Sequence, residues 1–170
     1  MKPFLLPLML LLVVPAIGQE NGLAQSKTAL VGTWKLVSAT ETTKNGKVRN
    51  EPFGKNAAGL ITYTADGRVM SIMTNGGRKP LSVPNNVTAP VEERAEAFAT
   101  STAYAGRYTL DGDKVIHHIE VASLQNTVNT DLVRLIKLKG NSLSLRTVNM
   151  ASAGPEIAYR EFVWERVSNK

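Results

Sequence analysis

From about residue 29 onward, apolar and polar residues alternate in short runs that are separated by glycine-bearing turns. Alternation with a period of two marks a strand with one buried face. Strands are predicted at Val31–Thr42, Lys47–Asn50, Gly59–Thr64, Arg68–Thr74, Tyr104–Leu110, Lys114–Ser123, Leu132–Lys139, Ser142–Val148 and Ile157–Val167. The turn signals Asn45-Gly46, Asp66-Gly67, Asp111-Gly112 and Gly140-Asn141 join neighbouring runs as hairpins, because such pairs accept the positive φ of a tight loop. Strands connected in this way form an antiparallel meander rather than βαβ units.

One helix interrupts the series. It is predicted over Val91 to Ala103, with Pro90 at its start, Glu92 and Glu93 in its first turn, and Val91, Ala95, Phe98 and Thr102 on one side. The connection from Asn75 to Ala89 holds two prolines, two glycines and three asparagines, and is long enough to read as a lid or portal. A plain surface excursion is the competing reading. A sheet of this size buries one face by closing on itself, which also removes its edges. The expected fold is therefore all-β: an antiparallel up-and-down β-barrel of eight to nine strands with one mid-chain helix.

Alternation also assigns faces. Val115, His117, Ile119 and Val121 are expected to point inward, with His118 and Glu120 outward. Leu132, Arg134, Ile136 and Leu138 form an apolar row broken only by Arg134, and Tyr104, Gly106, Tyr108 and Leu110 form another. The phase of Arg68–Thr74 stays open, because Met70 and Ile72 compete with Val69 and Met73.

Composition narrows the class. The chain has 170 residues, 43% hydrophobic and 20% charged, with no cysteine, which fits one ordinary domain. Without cysteine there is no disulfide frame, lipobox, thiolate zinc site or thiol nucleophile. Lys2, the apolar run Phe4–Val14 and the small residues up to Gly18 read as a signal peptide over residues 1–18, with cleavage as late as residue 26 also compatible. A polar linker, 19–28, and a domain, 29–168, follow. An exported protein, periplasmic or extracellular, is expected, with no integral membrane span because the apolar run is too short. The net charge of +6 is scattered and only 6% of residues are aromatic, so a nucleic-acid partner is not expected.

Gly32-Thr33-Trp34, Tyr63-Thr64-Ala65-Asp66-Gly67-Arg68, Tyr104-Ala105-Gly106-Arg107-Tyr108, Val115 to Glu120 and Trp164-Glu165-Arg166 occur in this order. Together they resemble the bacterial and fungal lipocalin-like domain family over roughly Leu30 to Val167. The resemblance implies a calycin-type barrel and a small-molecule pocket, without specifying a ligand. It also implies that Trp34 plugs one end of the barrel under Arg166, a structural closure.

Candidate chemistry follows from the inward rows. An arginine on an apolar face needs a carboxylate, carbonyls, water or an acidic ligand, so Arg134 is the sharpest candidate for ligand binding. His117, Tyr63, Tyr104 and Tyr108 join it as residues that could orient a ligand, with ordinary core packing the commoner explanation for such residues. His117 and His118 face opposite ways and cannot share a metal, so no metal and no cofactor are expected. Glu92 and Glu96 read as a solvated helix face, and Asn86-Val87-Thr88 fits a glycosylation acceptor only in a host that glycosylates exported chains. Enzyme signatures such as Gly-x-Ser-x-Gly, phosphate loops or His-Glu-x-x-His are absent, and no catalytic residue is assigned. The leading expectation is an exported barrel that binds a small, mainly apolar or acidic molecule. Two alternatives remain: an isomerase or cyclase using His117, Tyr108 and Arg134, and a plugged barrel whose outside binds proteins.

Overall fold

The computed structural model describes residues 27–148 and 156–168. The predicted signal peptide and most of the linker lie outside the described residues. Among the described residues nine strands form: β1 (Gly32–Thr43), β2 (Val48–Asn50), β3 (Ala58–Tyr63), β4 (Arg68–Thr74), β5 (Ser101–Asp111), β6 (Lys114–Ala122), β7 (Asp131–Lys139), β8 (Ser142–Thr147) and β9 (Ile157–Arg166). Each pairs antiparallel with its neighbour, and β9 returns to β1, with Trp34 opposite Arg166 and Thr42 opposite Tyr159. Eight strands thus close a barrel. The short β2 adds to β1 beyond the stretch that β3 covers, Thr40–Thr42 against Val48–Asn50.

The predicted hairpin turns fall between these strands, and Gly67 at φ 88° shows why the Asp66 turn needs glycine. The open phase of β4 resolves with Val69 buried and Met70 and Ile72 outside. Two expectations are corrected. The helix, α1 (Val91–Ala99), stops four residues early, because Ser101–Ala103 pair with Thr74–Ile72 of β4 and the ladder overrides helical periodicity. Val121 is 66% exposed rather than inward. Between Ala105 and Gly106 the β5–β6 register slips by one residue of β6, a bulge at Glu120 that turns Val121 outward. Gly106 permits this, since a Cβ there would collide with the backbone carbonyl of His118.

One end of the barrel is shut. Residues 27–30 close a helical turn, Trp34 Nε1 donates to Leu30 O (2.9 Å), and the Arg166 guanidinium lies 4.0 Å above the Trp34 ring. Arg166 also donates to Val31 O (2.7 Å) and to Ala29 O. Gly32 sits at φ 136°, where a Cβ would stand 2.5 Å from Arg166 Nη1, so the glycine of the opening motif makes room for the arginine. The core of Leu30, Trp34, Leu36, Ile61, Tyr63, Val69, Tyr108, Val115, Leu143, Leu145 and Trp164 fills the barrel from this end.

Candidate functional site

Toward the other end the interior is not filled. A cavity of about 560 Å³ is lined by Ile61, Ser71, Met73, Tyr104, Arg134, Leu145, Phe162 and Trp164 on the barrel wall. Phe53, the α1 residues Phe98 and Ala99, and Leu124 and Thr127 of the β6–β7 connection complete it nearer the mouth. No residue of α1 is buried, and only its last two residues, Phe98 and Ala99, border the cavity.

The five candidate residues divide into two groups. Tyr104 and Arg134 line the cavity; Tyr63, Tyr108 and His117 do not, and are packed behind it. They are nonetheless connected. The Tyr63 hydroxyl lies 2.8 Å from His117 Nε2, and the Tyr104 hydroxyl lies 3.0 Å from His117 Nδ1. Tyr63 and Tyr108 meet edge to face at 5.0 Å, and Tyr108 donates to Thr64 O (3.0 Å). Cross-strand register sets their depth: Tyr108 of β5 stands opposite His117 of β6, which stands opposite Leu132 of β7.

His117 is fully buried, and its pKa is pushed down to about 3, first by burial and then by the charges of Arg134 and His118. The imidazole is therefore neutral, with one donor and one acceptor nitrogen. Proton counting sets the direction. Tyr63, fully buried, bonds to His117 alone among the described residues, so its proton is satisfied only if it donates to Nε2. Nδ1–H then donates to the Tyr104 oxygen, which leaves the Tyr104 proton free for the cavity that the residue lines. Burial raises the Tyr63 phenol well above its ordinary pKa and raises Tyr104 and Tyr108 as well. None of these groups changes charge near neutral pH, so the relay holds Tyr104 as an oriented hydrogen-bond donor rather than moving a proton. His117 used as a base, as the isomerase or cyclase alternative requires, would have to reach the cavity that Tyr104 separates it from.

Arg134 supplies the charge. Its Nη1 donates to the carbonyl of Val133 (3.0 Å), and no carboxylate pairs with it among the described residues. Burial lowers its pKa, opposed by the phenols Tyr104 and Tyr63. The other charged side chains on the cavity lining are already partnered. Arg160 Nε donates to Glu41 (2.8 Å), a carboxylate 2% exposed that also accepts from Arg49 (2.9 Å), and Asp131 at the rim pairs with His118 Nδ1 (2.7 Å). Glu41 was not anticipated from the sequence, because the bulge in β1 between Leu36 and Ser38 brings it into the inward row that begins at Trp34. Among the described residues no group of acidic and histidine side chains could hold a metal, and no helix is long and apolar enough to cross a membrane.

The model of a family described as a lipocalin-like domain matches residues 31–167. No curated protein matches. Among solved structures the chain is similar to a lipocalin-like protein from Bacteroides uniformis, at 12% identity over 82% of this chain and 99% of that one, TM-score 0.42. It is also similar to the lipoprotein YedD from Klebsiella pneumoniae (11%, 83% and 74%, TM-score 0.37) and to Rv2717c from M. tuberculosis (13%, 85% and 96%, TM-score 0.34).

Proposed function

The chain belongs to the lipocalin-like domain family, and on that premise we propose that its barrel binds a small, mainly apolar molecule bearing an acidic group. The observation that carries this reading is Arg134, a largely desolvated guanidinium on the cavity wall whose described partner is one backbone carbonyl. A buried cation is costly until an anion meets it, and a carboxylate satisfies guanidinium geometry with two parallel hydrogen bonds. Tyr104, held by His117, stands ready as a third donor. Ile61, Met73, Leu145, Phe162 and Phe98 offer apolar surface to the rest of the molecule. The leader-like residues 1–18 add export to the reading, which the intact mass of the secreted chain tests: loss of between 18 and 26 residues supports it, and the full-length mass refutes it.

Calorimetric titration with dodecanoic acid and dodecan-1-ol tests the acidic preference. The acid should bind the wild type at least about tenfold more tightly than the alcohol, and Arg134→Met should erase that ratio. Equal binding of the two, or a preference that survives Arg134→Met, overturns the reading.

A further inference from the structure

Trp164 carries the one buried side-chain nitrogen or oxygen without a hydrogen-bond partner among the described residues, its indole Nε1. The residue is 4% exposed and is among those that line the same cavity as Ser71, Tyr104 and Arg134. We propose that this N–H is a second recognition point, donating to an uncharged oxygen on the ligand, a ketone, ether or hydroxyl set apart from the acidic end. The inference rests on the binding reading above and deepens it to an oxygenated acid.

The surroundings leave the N–H no internal outlet. Trp164 stands opposite Leu36 of β1 and Leu143 of β8, and Phe162 is its neighbour along the inward row. None of these side chains accepts a hydrogen bond. Trp34, the other tryptophan, shows how the fold treats an indole that belongs to the framework: its Nε1 donates to Leu30 O at 2.9 Å. An indole is a donor only, so whatever satisfies Trp164 must accept. The apolar walls around it disfavour a second anion there, and the guanidinium of Arg134 already provides for the first. A plain alkyl chain passing Trp164 would leave the N–H unpaired, whereas a chain oxygen at that depth would relieve it.

Dodecanoic acid and a series of oxododecanoic acids differing in ketone position are the probes, titrated calorimetrically into the wild type and into Trp164→Phe. At least one oxo isomer should bind the wild type about five- to tenfold more tightly than dodecanoic acid, the worth of one neutral buried hydrogen bond, and in Trp164→Phe that ratio should fall to about one. No gain for any isomer, or a gain that persists in Trp164→Phe, overturns the inference. Should the variant fail to fold, the wild type decides: its indole N–H NMR signals report Trp34 and Trp164 separately, and the favoured oxo acid should shift the Trp164 proton downfield where dodecanoic acid does not. An unmoved Trp164 signal overturns the proposal. If dodecanoic acid binds with the Arg134-dependent preference and no oxo isomer gains, only the role of Trp164 falls; if dodecanoic acid does not bind, the acid reading and the inference built on it fall together.

Discussion

Three arginines, Arg166, Arg160 and Arg134, reach the barrel interior, and their partners differ. Arg166, at the shut end, lies on the Trp34 ring and donates to two backbone carbonyls. Arg160, on the cavity wall, is neutralised by Glu41, and its guanidinium lies 5.3 Å from the Phe53 ring centre. Arg134 shares that wall with one carbonyl acceptor and no anion among the described residues. Because a desolvated charge is expensive, a fold that needs an arginine only as scaffold satisfies it internally, as at Arg166 and Arg160. The difference separates a cation that completes the structure from one that a ligand completes, and each variant below tests that separation.

The largest effect is expected at the shut end. Arg166→Met removes two hydrogen bonds to backbone carbonyls and a stacked cation, and should lower unfolding free energy by about 3 kcal/mol in urea titrations. A loss under about 1 kcal/mol would put Arg166 in the same class as Arg134 and break the comparison.

Next in size is a pH effect from the relay behind the cavity. His117 has a folded pKa of about 3, against an ordinary value of about 6.5 in the unfolded chain, so between these values the unfolded state binds the extra proton. Stability contributed by the neutral imidazole is full above about pH 6.5 and is lost as pH falls toward 3, at up to about 1.4 kcal/mol per unit. Urea midpoints measured between pH 7 and pH 5 should fall by the equivalent of about 2 kcal/mol, and His117→Gln should flatten that slope. A slope unchanged in His117→Gln would show that other groups carry the acid sensitivity.

Most of the framework was readable from alternation and turn chemistry, since each strand buries one face and each hairpin needs its glycine. Alternation cannot reveal a bulge. The slips at Glu120 and between Leu36 and Ser38 changed which residues face inward, hiding the exposure of Val121 and the burial of Glu41. Helical periodicity likewise carried the helix through Ser101–Ala103, where pairing with β4 prevails. Arg134 was legible because one charge interrupted an apolar row. The bonds among Tyr63, His117 and Tyr104 were not, since three separate strands supply them and only closure brings those strands to one depth. Trp164 was visible only within a closing motif; its place two residues before Arg166 on the same inward row was the available sign that it, too, faces the interior.

Arg134→Met should leave the unfolding free energy of the ligand-free protein within about 1 kcal/mol of the wild type, or raise it, because a partly buried guanidinium without a described carboxylate gives way to an apolar side chain of similar reach. Urea unfolding beside Arg166→Met makes the contrast direct. A destabilisation as large as that of Arg166→Met would mean that Arg134 is scaffold.

The smallest effect distinguishes positioning from packing at Tyr104. Removing its hydroxyl costs the hydrogen bond from His117 Nδ1, so Tyr104→Phe should lose about 1 kcal/mol of stability while the ring still fills its place. The same hydroxyl is the donor the relay aims beside Arg134, so Tyr104→Phe should also weaken dodecanoic acid by about threefold and dodecan-1-ol by less. Tyr63→Phe is the control. It loses an equivalent bond to the same imidazole, at Nε2, yet Tyr63 does not line the cavity. If both variants weaken the acid equally, the relay acts only through the rigidity of the wall. If Tyr104→Phe alone does so, the hydroxyl works with Arg134 at the acidic end of the ligand.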